Sequence, residues 1–163
     1  MISTELKTTI QGAYSRFLEA KSLKPRYGQR LMIAEIAKVL GDIDTDDEGR
    51  RSGDPAIVAV EAGTGTGKTV AYSLAAIPTA KAAGKRLVIA TATIALQEQI
   101  VFKDLPDLMR NSGLNFTFAL AKGRGRYMCL SKLDMLLQEG HAQTATAQPV
   151  SYTHLTLPTI LLV

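Results

Sequence analysis

Leu6, Ile10, Ala13, Tyr14, Phe17 and Leu18 recur at helical spacing near the start of the chain, and Met32, Ile33, Ile36, Ala37 and Leu40 do so again. Two amphipathic helices are predicted, separated by Lys24-Pro-Arg-Tyr-Gly28, where Pro25 and Gly28 supply the break. Ala56-Ile-Val-Ala-Val60 has a different pattern. It is a short, continuous apolar run rich in β-branched residues between Pro55 and Gly63, as a strand buried on both faces requires. A glycine-rich turn follows, then a helix over residues 69–83 that Pro78 is expected to kink or end. Residues 87–90 repeat the buried-strand pattern, 94–110 the helix, and 116–120 offer a third strand. Strands alternating with helices imply right-handed crossovers, so the predicted fold class is α/β with a parallel sheet flanked by helices.

The chain has 163 residues, enough for one domain with its own core. Hydrophobic residues at 46% and charged residues at 21% exclude wholesale disorder, a collagen repeat and a coiled coil. No apolar run reaches the roughly eighteen residues of a membrane span, and the first residues lack the apolar stretch of a signal peptide, so the expected setting is cytoplasmic, with no membrane partner. The single cysteine, Cys129, has no partner for an internal disulfide and cannot hold a metal alone. The net charge of +4 says less than its placement: residues 42–54 hold six acids and read as an exposed loop, while residues 1–41 hold seven bases against three acids and residues 103–132 six against two. Charge alone leaves open whether the basic stretches bind a polyanion or are ordinary solvated faces.

Candidate chemistry concentrates in Glu61-Ala-Gly-Thr-Gly-Thr-Gly-Lys-Thr69, which lies between a predicted strand and a predicted helix. That is the setting of a phosphate-binding P-loop, with Ala62 in place of the usual first glycine. Gly63, Gly65 and Gly67, with Thr64 and Thr66 between them, let successive backbone N–H groups turn inward toward phosphate oxygens at a helix N-terminus. Lys68 is positioned to reach the β- and γ-phosphates of ATP and Thr69 to supply a hydroxyl ligand to Mg²⁺. Hydrolysis also needs an acid after an apolar strand, but the predicted strands end at Glu61, Thr91 and Lys122.

After Glu139 no Asp, Glu, Lys or Arg occurs. Residues 150–159, Val-Ser-Tyr-Thr-His-Leu-Thr-Leu-Pro-Thr, resemble a reading-frame translation of the transposon-end adapter used in sequencing libraries. Residues 140–163 are accordingly expected to be a truncated or non-native tail, outside the fold.

Five segments in order, Lys24-Pro-Arg-Tyr-Gly-Gln-Arg-Leu-Met-Ile-Ala-Glu-Ile-Ala37, the P-loop, Thr91-Ala-Thr-Ile-Ala-Leu-Gln-Glu-Gln-Ile100, Lys103-Asp-Leu-Pro106 and Gly123-Arg-Gly-Arg-Tyr-Met-Cys129, together resemble the DinG family. That family belongs to the iron–sulfur superfamily 2 DNA helicases, which include the XPD-like enzymes. The resemblance runs from about Tyr14 to Leu137 and covers only the opening segment of a much longer family chain. It implies residues 1–41 as N-terminal helices with an adenine-reading motif, 42–55 as the acidic loop, and 56–139 as an incomplete RecA-like P-loop motor domain 1 that reaches the start of an iron–sulfur region.

By that resemblance Gln29, with Arg26 beside it, reads the adenine of ATP. Thr91, Thr93 and Gln97 touch the backbone of single-stranded DNA, with Lys122, Arg124 and Arg126 along the DNA path. Cys129 matches the first of four ligands of a [4Fe–4S] cluster, three of which are missing here. Each position has a plainer alternative: a surface glutamine for Gln29, a helix N-cap for Thr93, a solvated face for the three bases and a packed thiol for Cys129. Lys122, Arg124 and Arg126 would share one side of an extended backbone.

The expectation is an ATP-dependent DNA helicase, monomeric, acting on single strands and duplex junctions in repair or replication, represented by a fragment inactive alone. A small P-loop kinase or a nonenzymatic nucleotide- or DNA-binding module are the alternatives. The long stretch before the P-loop, carrying Gln29, weighs against the kinase.

Overall fold

The computed structural model describes residues 2–123, 126–127, 129–138 and 159–162. Helix α1 (Thr4–Ala20) begins where the Ser3 side chain accepts from the Leu6 N–H, and its Ile10, Ala13, Tyr14, Phe17 and Leu18 face inward. Helix α2 (Tyr27–Gly41) starts earlier than the sequence suggested. Gly28 therefore lies in its first turn, and the break falls before Arg26, with Ser22 at a φ of +51°. Both helices pack on α3 (Lys68–Ala82), whose Ala71, Leu74 and Ala75 are fully buried.

Pro78 does not end α3. Its missing N–H leaves a carbonyl one turn back without its usual donor. The ring nevertheless sits among buried residues, and the Thr79 hydroxyl donates to the Ala75 carbonyl at 2.7 Å. Core packing on both sides retains the helical path.

The helix expected over 94–110 is one path with a widened turn: α4 (Ile94–Gln99), a π-helical segment (Ile100–Asp104) and α5 (Leu105–Ser112). The cause is Pro106, whose ring would meet the carbonyl four residues back in a regular α-helix; the wider turn ahead of it relieves the clash. Arg16 Nε and Lys21 Nζ fasten α1 to this path, donating to the Ser112 carbonyl at 2.9 Å and to Asp107 Oδ1 at 3.0 Å. Helix α6 (Leu130–Gln138) was not anticipated from the sequence.

The sheet departs from expectation in three ways. Strands β1 (Val88–Thr91) and β2 (Ala119–Ala121) form near their predicted positions, but neither pairs with the other. Each pairs antiparallel with β3 (Thr159–Leu162), giving the order β1-β3-β2. The crossover through α4 and α5 does make β1 and β2 run in the same direction, as predicted. It leaves a gap one strand wide between them, and β3 fills that gap from the opposite direction, so every described pairing is antiparallel. The end of the tail expected to lie outside the fold thus supplies the central strand. Third, residues 56–60 adopt no regular structure, and Ile57 is 83% exposed. An apolar run becomes a buried strand only when a neighbour takes its backbone groups and a layer covers its faces. Among the described residues nothing does so for this segment.

The acidic stretch is an exposed loop as predicted. Asp46 Oδ1 accepts from the N–H groups of Glu48 and Arg50, at 3.0 and 2.7 Å, and Thr45 bridges Arg51 antiparallel. Lys85 Nζ donates to the Gly49 carbonyl at the tip of this loop.

Gly113, at a φ of +71°, ends α5 with its α-carbon against the Arg16 side chain, where an added β-carbon would lie 2.7 Å from Nε. Gly113→Ala should lower unfolding free energy by about 1–2 kcal/mol through left-handed strain, plus the cost of moving Arg16, as measured by urea denaturation.

Candidate functional site: a phosphate cradle with an upstream glutamine

The loop before α3 turns through Gly65 and Gly67, both at a φ of +76°, a conformation that L side chains rarely adopt. Gly67 is the N-cap of α3, so the orphan N–H groups of the first helical turn open onto this loop. Lys68 Nζ donates to the carbonyls of Ala62 and Gly63 at 2.8 and 2.9 Å, and Thr66 Oγ1 donates to Gly63 at 2.8 Å. The ammonium group is thereby held over the mouth of the loop while remaining exposed. A β-carbon added at Gly63 or Gly65 would meet nothing within 4 Å, so the loop backbone faces open space wide enough for a ligand to approach.

Two residues from the start of α2 reach this loop. Arg26 Nη1 donates to the Gly65 carbonyl at 2.8 Å, and Gln29 Nε2 donates to the Gly67 carbonyl at 3.5 Å. Tyr14, whose ring is buried in α1, donates its hydroxyl hydrogen to Gln29 Oε1 at 3.1 Å and accepts from the Arg26 N–H at 3.4 Å. Sequence reasoning placed Tyr14 in the core and missed this second role. Its signal was available: a tyrosine on an apolar helical face needs a partner for its hydroxyl, where a phenylalanine would not.

Thr69 sits in the first turn of α3 and shares a side-chain hydrogen bond with Tyr72. Burial pushes the Tyr72 phenol above its ordinary pKa; the Thr69 bond opposes this and Asp104 adds to it, so the phenol is neutral at physiological pH. Gln29, Arg26, the glycines, Lys68 and Thr69 are thus brought together, from segments about 40 residues apart in the chain. The donor set fits a nucleotide triphosphate: backbone N–H groups and one ammonium for the phosphates, an amide for a base edge, and a hydroxyl for Mg²⁺.

The residues expected along DNA lie elsewhere. Thr91, at the end of β1, is buried and donates its hydroxyl hydrogen to the Thr93 carbonyl at 3.2 Å. Thr93 is exposed and is the N-cap of α4, its Oγ1 accepting from the Leu96 N–H at 3.2 Å. Gln97 is only 2% exposed, and its Oε1 accepts from Arg126 Nη1 at 2.9 Å. Lys122 is exposed, and Arg124 lies outside the described residues. The backbone here turns back, with the Arg126 N–H donating to the Gly123 carbonyl at 2.8 Å. That bond replaces the extended run in which alternate residues would share one side. Cys129 is exposed at the start of α6, where its carbonyl accepts from the Leu133 N–H. A lone thiolate does not fit an iron–sulfur cluster, and no group of three His, Cys, Asp or Glu side chains gathers among the described residues.

A P-loop that opens onto helix α3, with a glutamine from an upstream helix laid against it, is the arrangement of a P-loop nucleotide-binding domain. Residues 48–155 match the DEAD/DEAH box helicase family model, and the chain belongs to that family. Within it, the chain is similar to the ATP-dependent DNA helicase DinG of Photobacterium profundum, with 39% identity over 90% of this chain and 20% of that protein. DinG of Escherichia coli K12 is 40% identical over 83% of this chain and 18% of its own length, and DinG of Salmonella typhimurium 44% over 69% and 14%. The chain therefore spans about a fifth or less of the length of these relatives. The family implies a P-loop, RecA-like fold that uses ATP and Mg²⁺. No helix among the described residues is long and apolar enough to cross a membrane.

A β-carbon at Gly67 would collide with Gln29 Nε2 in a backbone conformation already unfavourable to alanine. Gly67→Ala should therefore abolish binding of a fluorescent ATP analogue while circular dichroism still reports a folded, helical chain.

Proposed function

We propose that the chain is the opening part of motor domain 1 of a DinG-type, iron–sulfur DNA helicase that couples ATP hydrolysis to movement along single-stranded DNA. The observation that carries this reading is the convergence of Arg26 and Gln29 on the carbonyls of the P-loop, with the Tyr14 hydroxyl bonded to the Gln29 amide. A small kinase needs a phosphate cradle but has no need of an upstream amide against its floor.

In this reading Lys68 and the N–H groups around Gly63, Gly65 and Gly67 bind the phosphates, with Ala62, Thr64 and Thr66 shaping the turn. Thr69 offers its hydroxyl to the Mg²⁺ of the nucleotide. Binding lets Lys68 exchange the Ala62 and Gly63 carbonyls for phosphate oxygens, which are stronger partners for an ammonium group. Gln29 then turns its amide edge from Gly67 toward adenine. Thr91, Thr93, Lys122, Arg124 and Arg126 lie along the DNA path beside the cluster that Cys129 would help to hold with three cysteines outside this chain. Residues 140–163 belong to a foreign or truncated tail, the last residues of which pair with β1 and β2. The intact protein acts as a monomer in the cytoplasm on duplex junctions, in DNA repair or replication. Residues 1–163 alone bind nucleotide without separating strands.

Removing Lys68 deletes a charge-assisted hydrogen bond of about 1.5–3 kcal/mol, so Lys68→Ala should weaken ATP binding roughly ten- to a hundredfold in a calorimetric titration. Wild-type-like affinity in that variant would refute the cradle. Single-stranded DNA affinity should fall with salt at a slope of about −0.7 per phosphate contact, as fluorescence anisotropy can measure; a flat response would remove the DNA-path assignment.

A further inference from the structure

Gln97 occupies an unusual position for a residue expected to touch a DNA backbone. It is 2% exposed, and its Nε2 has no hydrogen-bond partner among the described residues. A buried amide with idle N–H groups is destabilising, so whatever retains it must act through its carbonyl oxygen. That oxygen accepts from the guanidinium of Arg126, 29 residues further on, across a 2.9 Å bond that the cation strengthens. The segment carrying Arg126 is folded rather than extended. The Arg126 N–H donates to the Gly123 carbonyl at 2.8 Å, and the Lys122 N–H donates to the Tyr127 hydroxyl at 3.0 Å.

We propose that Gln97 is a positioning residue: its buried carbonyl holds Arg126, and through it fastens the segment carrying Lys122, Arg126 and Tyr127 to helix α4. That segment leads directly into Cys129 and α6, while α4 follows the strand end that carries Thr91 and Thr93. Gln97 therefore sets where the basic group Arg126 stands relative to the strand end that carries Thr91 and Thr93, and makes no contact with phosphate itself. This rests on the DNA reading above for its consequence, but not for its geometry.

The two roles differ in the sign of one substitution. Gln97→Glu keeps the acceptor and gives up only N–H groups that have no partner, and it pairs a carboxylate with Arg126. Against phosphate the same change would set two negative charges together. Gln97→Leu removes the acceptor in either case.

In the 163-residue chain, hydrogen exchange at the Lys122 and Arg126 amides should quicken roughly tenfold or more in Gln97→Leu, the factor expected for one lost charge-assisted bond, and remain slow in Gln97→Glu. Affinity for a labelled oligothymidylate should fall in Gln97→Leu and recover in Gln97→Glu. Greater loss of DNA binding in Gln97→Glu than in Gln97→Leu, with unchanged exchange in both, would overturn the proposal and make Gln97 a phosphate contact. Should Gln97→Leu fail to fold, Arg126→Met tests the same bond from its more exposed end. Faster exchange at Lys122 supports the tether, and unchanged exchange refutes it. Failure of the wild-type chain to bind oligothymidylate would sink the DNA reading, whereas the exchange results decide the tether on their own.

Discussion

Helix α3 must meet two opposed demands, and most of the molecule is arranged around them. Its body is the most deeply buried helix of the fold, while its N-terminus has to remain open so that the N–H groups of the first turn can face a ligand. Small side chains make the first demand attainable: Ala71, Ser73, Ala75 and Ala76 are all buried and let α1 and α2 approach the helix closely. Gly67 meets the second, because its left-handed backbone turns the chain away from the helix axis and leaves the end uncovered.

Close packing on α3 also explains how a nucleotide cradle acquires its amide. Helix α2 begins beside the loop, so Arg26 and Gln29 at its start reach the loop carbonyls. Tyr14 belongs to a different helix, yet its hydroxyl aligns Gln29 and caps the Arg26 N–H. The Gln29 amide is thereby referenced to the core. A shift of α1 or α2 relative to α3 would move Gln29 against the P-loop, which gives the site a mechanical link to the packing beneath it.

The far side of the domain is organised by a different constraint. Pro106 forces a widened turn between α4 and α5, and this sets the direction in which α5 reaches α1. At the other end of the same path Gln97 and Arg126 join α4 to the turn before Cys129. Basic side chains near a polyanion are useful only when their position is controlled, since their charge acts over a short screened distance. A buried oxygen holding a guanidinium supplies that control without adding charge to the surface.

Helical periodicity determined α1, α2, α3 and the α4–α5 path, because an apolar stripe at 3.6-residue spacing reports its own burial. The P-loop was equally legible, since Gly, Lys and Thr at those offsets encode a local backbone shape and a local charge. Strand pairing was not. Residues 56–60 have a strand's composition and no partner among the described residues, whereas Thr159–Leu162, excluded on sequence grounds, occupies the centre of the sheet. A strand is completed by backbone groups from elsewhere in the chain, so no local pattern can announce its neighbour or its direction. The bond between Tyr14 and Gln29 and the bond between Gln97 and Arg126 are non-local in the same way: residue types suggested what each side chain could do, and only tertiary packing decided which of its atoms were left free to do it.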